Sequence, residues 1–193
     1  MLPHFQDPDR LNPVSSGDRL PAEIYSQALD HLVIACVDIV LTYQTEIFLA
    51  KRNHPPRPSW WILGGRMVAG EAPLIAASRK IREEAALNIS GDRLQFIGVY
   101  STCFAHRQQL PQQNGLHSLN ITYQVELTAV EKAQLKLLTT EYERGEWMDG
   151  DRIYSLLNDQ IVMDKALLQV IHTQRAQIES TYSQASSTDR LST

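Results

Sequence analysis

The chain has 193 residues, 43% hydrophobic and 21% charged, with a formal net charge of −4. That is the size and composition of one ordinary globular domain with room for a full core. The acidic balance argues against a protein built mainly to hold nucleic-acid backbone, which needs a basic surface, but it permits a nucleotide held by a few local cations. Cys36 and Cys103 are the only cysteines, too few for a disulfide scaffold and without zinc spacing, so they read as half-buried thiols in strands. No run approaches the roughly 18 apolar residues a membrane helix needs, and the first residues lack an unbroken apolar stretch. The expectation is a cytoplasmic protein with no membrane or nucleic-acid-polymer partner.

Residues 1–20, with three prolines and little periodicity, read as an irregular arm, residues 21–179 as one domain and residues 180–193, rich in Ser and Thr, as a disordered tail. Pro21 to Leu29 is predicted as a short helix. His31–Tyr43 is β-branched and almost wholly apolar, a buried strand with Asp38 as its exception, and Glu46–Lys51 is its hairpin partner. Arg52–Ser59 is a basic, proline-rich loop, and Trp60–Leu63 a short strand leading into Gly64 and Gly65. From Pro73 to Leu87 the pattern turns helical: proline suits a first turn, and Leu74, Ala77, Ile81 and Ala85 make one apolar stripe. Leu94–Phe104 and His117–Leu127 read as strands joined by a mobile loop, Ala105–Leu116. A short strand at Glu146–Met148, a short helix at Arg152–Leu157 and an amphipathic helix at Asp164–Ile178 complete the chain. The order predicts an α/β sandwich rather than a regular βαβ array.

The chemistry concentrates in Gly65–Leu87, GRMVAGEAPLIAASRKIREEAAL. Gly65 is followed after five residues by Glu71, after seven more by Arg79, then by Ile81, the pair Glu83–Glu84 and Leu87. This spacing resembles the Nudix box, in which glycine, glutamate, an Arg-Glu pair, an aliphatic residue, a Glu-Glu pair and a final glycine–aliphatic pair stand at these intervals. The resemblance implies a Nudix-type α/β/α sandwich with a mixed central sheet and a loop–helix–loop, and hydrolysis of a nucleoside diphosphate linked to another group. It implies Mg2+, with Mn2+ as a substitute, held by Glu83, Glu84 and the Gly64 carbonyl; magnesium takes hard oxygen ligands and shares itself with substrate phosphates. Gly65, Glu71 and Arg79 are then the structural members that hold the loop–helix–loop in shape. The sequence departs from the pattern twice. Ala86 stands in place of glycine, a mild change if the backbone there stays right-handed. Lys80 stands in place of glutamate; three and four residues from Glu83 and Glu84, it shares their helix face. There it either fills the space of one cation or touches a substrate phosphate.

The run leading into the box, LAKRNHPPRPSWWILGGRM, is similar to that of the GDP-mannose mannosyl hydrolases, a Nudix branch that cleaves at sugar carbon. That similarity gives Arg52 and Arg66 the task of neutralising a departing diphosphate, for which the guanidinium fork is suited. It makes Asp38, Trp60 and Trp61 candidate sugar or base contacts, with one tryptophan in the core because adjacent strand residues face opposite ways. The branch places a metal-binding Gln and a catalytic His before a tryptophan of the last strand region; here Glu141 and Tyr142 stand at those places relative to Trp147. Glu141 reads as a fourth metal ligand or general base. Tyr142, with an ordinary pKa near 10, does not replace a histidine base. His106 and His117 flank the long loop as alternative bases or phosphate contacts. The reading is a hydrolase of a nucleoside diphosphate sugar, GDP-mannose-like, possessing a homodimer habit if it follows its relatives; a nucleoside triphosphate pyrophosphatase and a non-catalytic nucleotide-sugar binding module are the alternatives.

Overall fold

A computed structural model describes residues 2–7, 20–138 and 140–189, with 180–189 given by backbone alone. Strand β1 (Ile34–Tyr43) is the spine of a seven-stranded mixed sheet. One side of β1 runs parallel to β6 (Leu116–Glu126), from Ile34↔Ser118 to Thr42↔Glu126. Its other side is shared. The first half pairs antiparallel with β4 (Leu63–Arg66), and the last two residues turn at Gln44 into β2 (Glu46–Arg52). Strand β3 (Trp60–Trp61) and β7 (Tyr142–Met148) extend the sheet from β2, and β5 (Gln95–Phe104) closes the far edge against β6.

Alternation along β1 sends its apolar residues to both faces. Val37, Ile39 and Leu41 pack with Ala76, Ala77, Ile81 and Ala85 of α2 (Pro73–Ala85). Val40 packs in a second core with Ile153 of α4 (Gly150–Leu156) and Leu167, Val170 and Ile171 of α5 (Val162–Asp189). Helices therefore cover both faces, and the α/β/α sandwich expected from the sequence is the observed fold. Helix α1 (Ala22–His31) precedes β1, and α3 (Ala129–Gln134), absent from the sequence reading, is held by a Thr128–Glu131 capping box.

Three expectations are corrected. The last helix does not stop at Ile178 but continues to Asp189, through most of the segment read as a disordered tail, while residues 190–193, like 1 and 8–19 of the arm, lie outside the described residues. The loop read as mobile is pinned by Arg107, which is fully buried. Its guanidinium donates to Asp30 at 2.7 Å, Ser26 Oγ at 2.7 Å and the Gly115 carbonyl at 3.2 Å, tying the loop to α1. Ala86 is not right-handed: it caps α2 at φ 55, ψ 27, the left-handed conformation that favours glycine. Among the described residues no helix is long and apolar enough to cross a membrane.

Candidate active site

Strand β4 enters the box by a close approach to β1. Gly64 lies opposite Asp38, and a Cβ there would sit 2.3 Å from the Val37 carbonyl oxygen and 2.5 Å from Asp38 Oδ1. Only glycine fits. Its N–H donates to Glu84 Oε2 at 3.1 Å, linking strand to helix. The loop between them is braced by Arg79. Its Nε and Nη2 donate to the two oxygens of Glu71 at 2.7 and 2.8 Å, its Nη2 also reaches the Arg66 carbonyl at 3.1 Å, and its Nη1 lies 3.1 Å from both oxygens of Glu83. Glu71 in turn accepts the Val68 N–H at 3.0 Å, closing the loop on itself.

Beside this brace opens a cleft of about 520 Å³. Its floor is polar: Cys36 and Asp38 of β1 and Ser118 and Asn120 of β6 line it together. Asp38 is 7% exposed and lies beside Trp61. Burial pushes its carboxyl up to about 7, with Glu84 adding to the rise while Trp61 and Arg52 oppose it. Burial likewise pushes the Cys36 thiol up to about 12, which makes it an inert half-buried thiol; Cys103 is exposed, and both are free. Trp61 lines the cleft with Arg57 stacked 4.9 Å from its ring centroid. Both tryptophans belong to the second core, but only Trp61 also lines the cleft; Trp60, a candidate substrate contact in the sequence, does not, and has Arg144 over its ring.

The cations gather at the mouth. Arg66 lies 4.4 Å over the ring of Tyr25 and has no carboxylate partner among the described residues. Arg52 donates to Glu141 at 3.0 Å and sits 5.3 Å from the Tyr142 ring centroid. Lys80 lies 2.5 Å from Glu84 Oε1 and 3.3 Å from Glu83 Oε2. Burial pulls the Lys80 pKa down, but the charges of Glu84 and Glu83 outweigh it and hold the ammonium above its ordinary value. Arg52, Arg66, Lys80, Glu83 and Glu141 all face the cleft.

Tyr142 is no base. Its hydroxyl donates to Glu84 Oε2 at 2.6 Å, and burial together with the Glu84 charge drives its pKa far above the ordinary value. The two histidines are not brought to the site. His106 is exposed on its loop. His117 sits on β6 between Leu116 and Ser118, and strand alternation turns it away from Ser118; it meets Ser101 Oγ at 2.8 Å in a separate hollow beside Cys103.

Mg2+ is the ion implied by the resemblance, and the donor set as it stands does not fit it. Glu84 is 1% exposed and already meets the Lys80 ammonium, the Gly64 amide and the Tyr142 hydroxyl, and Glu141 is paired with Arg52. Among the described residues no three His, Cys, Asp or Glu side chains stand close enough to share an ion.

Tyr25, Arg57, Ser118 and Asn120 were not singled out from the sequence. Only Arg57 carried a signal, as part of a basic loop; the others reach the cleft through sheet register and helix docking.

A helix that brings carboxylates and cations to the mouth of a sheet-floored cleft is suited to anionic, phosphate-bearing ligands. The chain belongs to the NUDIX domain family, whose profile matches residues 32–169. No curated protein matches the chain. Among solved structures, the fold is similar to the NUDIX hydrolase from Nitrosomonas europaea, at 19% identity and a TM-score of 0.58, covering 75% of this chain and 90% of that one. It is similar to the MutT NUDIX hydrolase from Burkholderia pseudomallei, at 18% identity and 0.56, covering 71% and 98%. It is also similar to the NUDIX domain of Shewanella oneidensis NrtR complexed with ADP ribose, at 15% and 0.55, covering 79% and 97%. At these identities the likeness is one of fold.

Proposed function

We propose that this Nudix hydrolase cleaves a nucleoside diphosphate joined to a sugar or related group, with GDP-mannose-like compounds as the substrate class. The observation that carries the reading is the convergence of Arg52, Arg66 and Lys80 on one cleft, with Arg66 lacking any carboxylate partner among the described residues. A guanidinium with no counter-ion among the described residues, and resting over the Tyr25 ring, is preorganised for an anion that arrives with the ligand. A diphosphate spans such a set of cations; the nucleoside or sugar then extends over the polar floor toward Asp38 and Trp61. An aromatic wall with a few placed polar groups is the usual make-up of such a pocket. The ADP ribose bound by the Shewanella protein belongs to the same chemical class, which makes it a member of the panel to be tested.

In this reading Arg52 and Arg66 stabilise charge that develops on the diphosphate, each contributing on the order of a few kcal/mol. Glu141 stands at the cleft mouth, 36% exposed at its side chain, and is the carboxylate best placed to take a proton from an attacking water once substrate competes for Arg52.

The test is a panel of GDP-mannose, ADP-ribose and nucleoside triphosphates, each with and without Mg2+, in water labelled with heavy oxygen. Turnover of the diphosphate sugars, with the label in sugar or in phosphate reporting the atom attacked, is the expected result. Release of pyrophosphate from triphosphates alone, or no turnover of any member, refutes the reading.

A further inference from the structure

Glu84 is a buried carboxylate whose charge must be compensated where it lies. Its Oε2 is occupied by the Gly64 N–H and the Tyr142 hydroxyl. Among the described residues its Oε1 has no partner other than the Lys80 ammonium, 2.5 Å away. The same ammonium stands 3.3 Å from Glu83 Oε2, so it lies between the two carboxylates of the box. It passes close to Gly65, where a Cβ would come 2.9 Å from Lys80 Cε and make the lysine shift. Lys80 is 14% exposed at its side chain and lines the cleft.

We propose that the Lys80 ammonium is the resident cation of the Glu83–Glu84 pair, holding the position between these carboxylates that a divalent ion would need. Glu84 is then the anchor of Lys80 rather than a metal ligand, and Gly64 and Tyr142 lock the anchor. An ammonium has three donors; Glu83 and Glu84 take two, leaving one for an oxygen of a ligand in the cleft. This last point, a direct contact from Lys80 to a diphosphate, rests on the function proposed above. The occupation of the cation position does not.

The experiment titrates Mn2+ alone into the full chain, without nucleotide, and follows the free ion by electron paramagnetic resonance and the Gly64 and Gly65 amides by NMR. Wild-type protein is expected to leave those two amides unbroadened and to show no tight site. Lys80→Glu removes the ammonium and adds a carboxylate, a change of two charge units beside the ion, so it should bind one Mn2+ at least about tenfold more tightly than wild type. The added Glu84→Gln change should abolish that gain. Wild-type protein that binds Mn2+ as tightly as Lys80→Glu with broadening of Gly64 and Gly65, or a folded Lys80→Glu protein that gains no site, overturns the proposal. Should Lys80→Glu not fold, Lys80→Met serves in its place, since it frees the same oxygen without adding a charge. A substrate panel without turnover would leave the Mn2+ result standing, so the two readings fail separately.

Discussion

Tyr142→Phe removes a single hydroxyl from a side chain that is 1% exposed, and that hydroxyl donates to a carboxylate which is also 1% exposed. A hydrogen bond to a charged group contributes about 1.5–3 kcal/mol, and at 2.6 Å this one is in the short, charge-assisted class. Glu84 Oε2 would keep only the Gly64 N–H among its described donors. The expected loss is therefore about 1.5–3 kcal/mol, which at roughly 2–4 °C per kcal/mol for a domain of this size lowers Tm by about 3–12 °C. Tyr123 supplies the control. It is fully buried, and its hydroxyl has no hydrogen-bond partner among the described residues. Tyr123→Phe removes an unpaired buried dipole, so stability should hold or rise by up to about 1 kcal/mol. Urea unfolding followed by tryptophan fluorescence reports both, provided the slope against denaturant is the same in each variant. Equal losses in the two variants, or a loss below about 0.5 kcal/mol for Tyr142→Phe, would refute the role given to the Tyr142–Glu84 contact.

Ala86→Gly should stabilise the protein. The left-handed conformation at φ 55 costs an L-residue about 1–2 kcal/mol, and glycine returns about 0.4–1 kcal/mol of that as unfolded-chain entropy, leaving a net gain of about 0.5–1 kcal/mol in urea unfolding; a net loss would contradict the strain argument. The Arg93 guanidinium, aided by the Thr128 cap, holds the Glu131 carboxyl down to about 2 against burial, which opposes it. A depressed carboxylate contributes stability above its unfolded pKa of 4.5 and loses it as the pH falls through 2. The stability advantage of wild type over Glu131→Gln should accordingly shrink between pH 6 and pH 3.5 in urea unfolding, and a constant difference would show that the ion pair is not the cause.

The legible parts of this protein are the local ones. The apolar β-branched run of β1, the proline-started stripe of α2 and the spacing from Gly65 to Glu84 are each written within a few turns of chain, and the fold follows from them because each face must be covered. What was not legible joins distant segments. Arg107 lies in a glutamine-rich stretch that reads as loose, and only the approach of α1, with Ser26 and Asp30, makes it a buried hub. Arginine is rarely found fully buried unless paired, so nothing in its own neighbourhood announces it. Trp60 and Trp61 differ only in strand parity, which remains undefined until β3 pairs with β2 at Lys51 and Ala50; the same parity removes His117 from the cleft. At Ala86 the condition for a mild change fails, because the sequence shows where the helix stops but not in which hand.

Glu84 joins both kinds of information. Its partner Lys80 is four residues away and was visible from helix spacing; Gly64 is 20 residues away and Tyr142 is 58. A carboxylate known only by its place in a box reads as a metal ligand, since free oxygens beside other carboxylates attract a divalent ion. In the arrangement proposed above, the Lys80 charge and the two neutral donors together compensate the carboxylate that an ion would otherwise have to compensate. The chemical role of an acidic residue is thus set by the donors that reach it, and two of the three that reach Glu84 are supplied by the assembled sheet rather than by the motif.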